Sequence, residues 1–302
     1  MDGRGGLALR LRRGRAKART VLEMVKFSHT IFAMPFALAS LLLGSPDGWP
    51  RGGVLVWVLV AMVAARNAAM AFNRLADHFL DARNPRTAAR ALPSGLLTRR
   101  SVTLFVVLNV AIFLGAAAML NRLAFVLAPF VLAILLGYSY SKRFSWASHF
   151  WLGLSLALAP CGAWVAARGA IDESAAIPVV LAGAVLFWVA GFDIIYACQD
   201  IEFDRRAGLH SLPARLGVAF SLWVSTLAHL LTVGLLFLLG LLVPLGAVYY
   251  TGVGLIAAIL AGEHLLVRPS DLARVNVAFF TLNGYVGVLF LLAVLADLHL
   301  GV

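Results

Sequence analysis

Charge is scarce in this chain. Asp, Glu, Lys and Arg together make up 13% of its 302 residues, about half the share of an ordinary soluble domain, which excludes a water-surrounded fold of this length. Acidic side chains are the scarcest, 14 against 25 Lys and Arg. Cysteine is nearly missing. Cys161 and Cys198 stand far apart in apolar stretches, so neither a disulfide framework nor a thiolate zinc site is expected. The net charge of +11 invites a nucleic-acid reading. The basic residues, however, are confined to segments between apolar runs. That is the pattern of a chain held against anionic lipid headgroups, and no nucleic-acid partner is expected.

What is abundant is apolar. Hydrophobic residues reach 62% and mean hydropathy is +0.91, values of an all-α, polytopic membrane protein. Runs of about 20 apolar residues predict nine transmembrane helices, near 27–45, 53–73, 101–119, 122–140, 147–167, 176–198, 214–240, 245–262 and 273–297. Placing the N-terminus in the cytoplasm puts 22 of the 25 Lys and Arg on the inner side and leaves Arg51, Arg122 and Arg168 outside. Positive-inside bias therefore predicts an inner N-terminus and an outer C-terminus, and the expected location is the cell inner (cytoplasmic) membrane. Residues 1–26 read as a basic cytoplasmic tail and 27–302 as one membrane domain. Asn109 and Asn283, inside spans, are expected to bond across helices.

Against this background two acidic motifs stand out, both on the predicted cytoplasmic side. One carries Asp77 and Asp81; the other, 123 residues later, carries Asp200 and Asp204. An i, i+4 pair projects from one helical face. Carboxylates are costly near a bilayer and repel one another, so a shared multivalent cation is the expected reason for keeping four. Magnesium is hard, takes oxygen ligands and bridges carboxylates to substrate phosphates. Four aspartates, a diphosphate of roughly −3 and two magnesium ions leave about −3 for cations to offset. Arg66, Arg74, Arg83, Arg86, Arg90, Lys142, Arg143, Arg205 and Arg206 are available. Arginine forks fit phosphate oxygens and Lys142 supplies a point charge. Arg66 lies two turns before Asn73 inside an apolar run and is expected to point into the site.

The halves look alike. Each acidic motif closes an apolar span and is followed by a basic loop, then Leu-Pro and a glycine: Leu92-Pro93-Ser94-Gly95, and Leu212-Pro213 with Gly217. Four spans separate the motifs, so both return to one side. An internal repeat, roughly 27–140 and 147–262, would face the two acidic pairs across a central cavity.

These residues carry a resemblance. Asn73, Asp77 and Asp81, then Arg86-Thr87, Arg90 and Leu92-Pro93-Ser94-Gly95, resemble the first motif of the UbiA superfamily of intramembrane aromatic prenyltransferases. Asp193, Tyr196, Asp200 and Asp204 resemble its second motif, and Tyr138, Lys142 and Arg143 an element between them. The likeness runs from about Lys26 to the C-terminus. Arg74 stands where the family usually has Asp, Ala91 where it has Pro, and His210 at a commonly basic position. The wording around Cys198 and Gly208 is similar to a 4-hydroxybenzoate polyprenyltransferase-like subgroup.

The resemblance implies magnesium-assisted ionisation of an allylic polyprenyl diphosphate and attack on the cation by an aromatic acid acceptor, 4-hydroxybenzoate or a close ring, in ubiquinone or menaquinone synthesis. A hydroxynaphthoate acceptor is the alternative. It implies metal ligation by Asp77, Asp81, Asp200, Asp204 and Asn73, diphosphate contacts from Lys142 and the arginines, and site roles for Asp193, Tyr138 and Tyr196. Lys26 and His29, at the start of the first span, are weaker candidates for binding the acceptor. Glu202 lies off the Asp200–Asp204 face and is expected to be solvated. A cation-coupled transporter is the remote rival, opposed by arginines clustered at one face. Alcohol phosphotransferases of phospholipid synthesis also use spaced aspartates, but their Asp-Gly…Ala-Arg…Gly signature is missing here.

Overall fold

The computed structural model describes residues 32–300 together with Thr20, Val21, Glu23 and Met24. Lys26 and His29 lie outside the described residues. The fold is all-helical, with one isolated β-bridge, Arg268–Asp271, among the described residues. In chain order the α-helices are α1 Met34–Gly44, α2 Gly52–Ala76, α3 His78–Arg83, α4 Arg99–Leu120, α5 Arg122–Ser141, α6 Ser148–Arg168, α7 Ala176–Ala197, α8 Ile201–Arg206, α9 Leu212–Leu216, α10 Val218–Leu242, α11 Ala247–Leu266 and α12 Asn283–Leu300. Eight helical stretches are long and apolar enough to cross a bilayer. They match eight of the nine predicted spans. The described part of the remaining span is α1, 11 residues long.

Helix starts follow local chemistry. The Thr98 hydroxyl accepts from Ser101 N–H at 3.2 Å to begin α4, and the Asn121 carbonyl oxygen accepts from Ala124 N–H at 2.8 Å to begin α5. Each satisfies an amide that the first helical turn leaves bare. The Asn121 amide also donates to Val165 O at 2.9 Å, tying the α4–α5 turn to α6.

α7 is the central element. It packs between α6 and α10, while α1 bridges α6 and α12, and α2 pairs with α4 and α5. Leu181, Val185 and Trp188 on α7 are fully buried. Lipid supplies no hydrophobic drive between helices, so close approach and cross-helix hydrogen bonds hold them. Gly153 on α6 is one such contact, since a Cβ there would meet Leu186 O at 2.3 Å. Trp188 Nε1–H donates to Asn283 Oδ1 at 2.6 Å, joining α7 to α12. Asn283 therefore bonds across helices as expected. Asn109 does not: its amide donates to Phe105 O, one turn back in its own helix. At the bundle end away from the acidic motifs, Asp297 on α12 accepts from Gly246 N–H at 2.7 Å and Tyr249 N–H at 3.0 Å, capping α11 from a neighbouring helix.

Candidate active site

The first acidic motif lies at the junction of α2 and α3, the second at the junction of α7 and α8. Neither pair sits on one unbroken helix, as the spacing predicted. Asp77 separates α2 from α3 at φ −96°, ψ 9°. The 3₁₀ turn Cys198–Asp200 joins α7 to α8, and Asp200 stands at φ −106°, ψ 8°. Both leading aspartates thus occupy the sparsely populated bridge region. In the first motif the i to i+4 bond survives the break, with Asp81 N–H donating to Asp77 O at 2.7 Å.

The two motifs face one cavity of about 190 Å³. Asn73, Arg74, Asp77, Asp81, Arg86, Arg90, Tyr138, Lys142, Arg143, Asp193, Tyr196, Asp200 and Asp204 all line it. A larger, shallower depression of about 330 Å³ beside it is lined by Arg205, His210 and Arg215 but no carboxylate. Arg83 and Arg66 do not line the acidic cavity. Arg83 is exposed at the end of α3, and Arg66 is half-buried deeper in α2. Arg205 and Arg206 also turn away, Arg205 Nε–H to Ala214 O and Arg206 to Glu202 at the surface. Glu202 is exposed, as expected.

Arginines knit the cavity together. Arg86 donates Nε–H to Asp200 Oδ1 at 3.0 Å and Nη1–H to the Tyr196 hydroxyl at 2.8 Å, so the loop after the first motif reaches the second. Burial acts to lower the Arg86 pKa, but Asp200 and Tyr196 outweigh it and the net shift is upward. Arg90 pairs with Asp81 Oδ1 at 2.6 Å and Arg143 with Asp77 Oδ1 at 3.3 Å. Burial raises the Asp77 pKa, with Arg143 and Lys142 pulling against it. Asn73 steadies Asp77, its amide donating to Oδ2 at 3.0 Å while its Oδ1 accepts from Arg74.

Two buried oxygens, Asp81 Oδ2 and Asp204 Oδ2, have no hydrogen-bond partner among the described residues. Leaving such atoms bare in a dry site costs free energy, and all-oxygen donors are what a hard divalent ion takes. The donor set therefore fits magnesium. No three His, Cys, Asp or Glu side chains converge on one point among the described residues. An ion held here would complete its shell with substrate phosphate and water, magnesium's usual habit.

The sequence did not reveal three contacts of this site. Thr87 Oγ1–H donates to Asp81 O at 3.0 Å and pins the loop. Phe279 packs tilted against Tyr196, ring centroids 4.2 Å apart, from the π-helical turn Val277–Leu282, whose winding does not follow a 3.6-residue period. His149 bonds Asp193 from α6 at 2.6 Å, and nothing in the spacing of 44 residues signals that contact.

Comparison with known proteins bears on the fold and the family. The model of the UbiA prenyltransferase family matches residues 33–285. A curated 4-hydroxybenzoate octaprenyltransferase from Aliivibrio fischeri is 28% identical over 93% of this chain and 98% of its own. The structure of a UbiA homolog from Aeropyrum pernix K1 is 36% identical, with a TM-score of 0.82 over 89% of this chain and 98% of that one. A UbiA homolog from Archaeoglobus fulgidus, bound to GPP and Mg²⁺, shares the fold at 21% identity, with a TM-score of 0.70 over 92% and 99% of the two chains. The matched family segment holds both acidic motifs and every residue that lines their shared cavity, and the chain belongs to the UbiA prenyltransferase family.

Proposed function

We propose that this membrane prenyltransferase moves a polyprenyl group from an allylic polyprenyl diphosphate to a ring carbon of 4-hydroxybenzoate or a close aromatic acid, in ubiquinone or menaquinone synthesis. The carrying observation is one cavity in which four aspartates, two with bare buried oxygens, meet Arg86, Arg90, Lys142 and Arg143. Asp77, Asp81, Asp200, Asp204 and Asn73 would hold magnesium, two ions by the charge count. Bound with the diphosphate, magnesium neutralises charge that builds on the leaving group.

The chain's own residues do the rest. Arg86, Arg90, Lys142 and Arg143 grip phosphate oxygens. The Lys142 ammonium has no hydrogen-bond or ion-pair partner of its own among the described residues. Arg74 adds a cation beside Asn73. The allylic C–O bond breaks with its electron pair leaving on the diphosphate, the ring carbon bonds the allylic carbon, and the proton lost from that ring carbon passes to the released diphosphate. Tyr138 and Tyr196 present aromatic faces to the cation, and Asp193 positions the acceptor. The apolar bundle keeps water from quenching the cation. In this reading nine spans, an inner N-terminus and an inner-membrane location put the cavity at the cytoplasmic face, and the matched φ, ψ of Asp77 and Asp200 support an internal repeat.

The test is product formation in membranes from radiolabelled 4-hydroxybenzoate and a polyprenyl diphosphate, with and without magnesium. A lipid-soluble product that disappears with EDTA and in Asp77→Asn supports the reading; normal turnover in Asp77→Asn overturns it. A hydroxynaphthoate acceptor in the same assay separates the two quinone routes.

A further inference from the structure

Asp193 is the one cavity-lining acid that belongs to neither clamp, and its surroundings specify how it is held. His149, fully buried near the start of α6, touches two other elements. Leu212 N–H donates to His149 Nε2 at 3.3 Å. An amide can only donate, so Nε2 carries the lone pair and the ring proton sits on Nδ1. That Nδ1–H faces Asp193 Oδ2 at 2.6 Å. Leu212 opens α9, so its amide is one of those a helix start leaves without an intrahelical acceptor, and the residue is buried. The imidazole thus satisfies a bare helix amide at one end and orients a carboxylate at the other. Asp193 Oδ1 has no hydrogen-bond partner among the described residues, while the side chain lines the cavity and keeps 13% exposure.

From this geometry we infer that His149 is a positioning residue for the aromatic acceptor: with its tautomer fixed by the Leu212 amide, it fixes Asp193 Oδ2 and aims Oδ1 at a donor group, such as a ring hydroxyl, on the acceptor. The inference rests on the prenyl-transfer reading for the identity of that acceptor. It also links the loop after the second acidic motif to the acceptor pocket, because one ring serves both. A lone buried histidine filling space would need neither hydrogen bond; here both ring nitrogens are engaged, in the only sense that satisfies each partner.

Two substitutions separate the ends of the ring. His149→Asn keeps an N–H near the Nδ1 position and loses the Nε2 end. His149→Gln reaches the Leu212 amide and loses the contact with Asp193. The expected result is that His149→Gln lowers kcat/KM for 4-hydroxybenzoate about 10- to 100-fold, the worth of a hydrogen bond to a charged group. Its KM for the acceptor rises, while its KM for the polyprenyl diphosphate stays within about twofold. His149→Asn recovers most of the loss. Equal activity of the two variants, a better His149→Gln, or a parallel rise in both KM values overturns the inference and leaves His149 a structural anchor. A measurement independent of activity covers variants that do not fold. In ¹⁵N-histidine spectra of the wild type in bilayers, the His149 ring is expected protonated at Nδ1 and bare at Nε2; the opposite tautomer overturns the inference. A wild type that prenylates no aromatic acid sinks the prenyl-transfer reading instead, whatever the tautomer.

Discussion

The two acidic clamps are alike in spacing and backbone but not in how their charge is met. In the first, Asp81 is paired with Arg90 and Asp77 with Arg143. In the second, Asp200 is held by Arg86, which comes from the first clamp's loop, and Asp204 has no ion pair among the described residues. The arginines that follow the motifs behave in opposite ways: Arg86 and Arg90 turn into the cavity, whereas Arg205 and Arg206 turn out of it. Two motifs of like spacing are thus met by charge in unlike ways. The loop after the first motif brings cations as well as acid, and Asp200 of the second motif is met by Arg86 from that loop. Salt bridges between exposed residues contribute little, so the difference that counts is which arginines face the cavity.

That asymmetry can be broken in steps. Magnesium removal strikes both clamps, and product should fall below detection with EDTA and return when magnesium is restored, read by radiolabelled product. Asp200→Asn and Asp204→Asn should each lower kcat/KM by about 10³-fold, the scale of losing one preorganised charge contact to a leaving group. Steady-state kinetics over a magnesium series should show the apparent magnesium requirement rising in both. Arg86→Leu removes the strut between clamps and a phosphate fork. It should raise KM for the polyprenyl diphosphate about 10- to 100-fold, where Arg205→Leu, facing away, should stay within about twofold. Tyr196→Phe deletes only the hydroxyl that accepts from Arg86 and should cost about three- to tenfold in kcat/KM. Arg83→Leu, exposed and off the cavity, should be indistinguishable from wild type. An Arg83→Leu effect as large as that of Arg86→Leu would show that loop charge in general, rather than inward-facing arginine, serves the site.

How far the sequence could be read follows from the same distinction. Spans were legible because twenty-residue apolar runs have one physical meaning, and eight recur as bilayer-length helices. The clamps were legible because acid is so costly in this setting. The arginines were not, since positive-inside bias fills the same loops with basic residues for reasons unrelated to catalysis. Charge alone did not separate Arg86 from Arg83; the motif resemblance named Arg86, and the fold places it in the cavity with Arg83 outside. Arg66 illustrates the limit: helical spacing places it on the Asn73 face, but its depth keeps it off the cavity wall. The breaks at Asp77 and Asp200 were also hidden, because no glycine or proline marks them. His149 stayed silent because an imidazole inside an apolar span has no periodic signature.

The cap that Asp297 places on α11 has a practical consequence for anyone handling this protein. It lies three positions from the end of α12, yet two amides at the start of another helix depend on it. Trimming the tail back past this point would strip the opening turn of α11 of both acceptors, at about 1–3 kcal/mol for each donor left bare. A variant that lacks Asp297 should therefore melt earlier in detergent although the acidic cavity, at the other end of the bundle, is untouched.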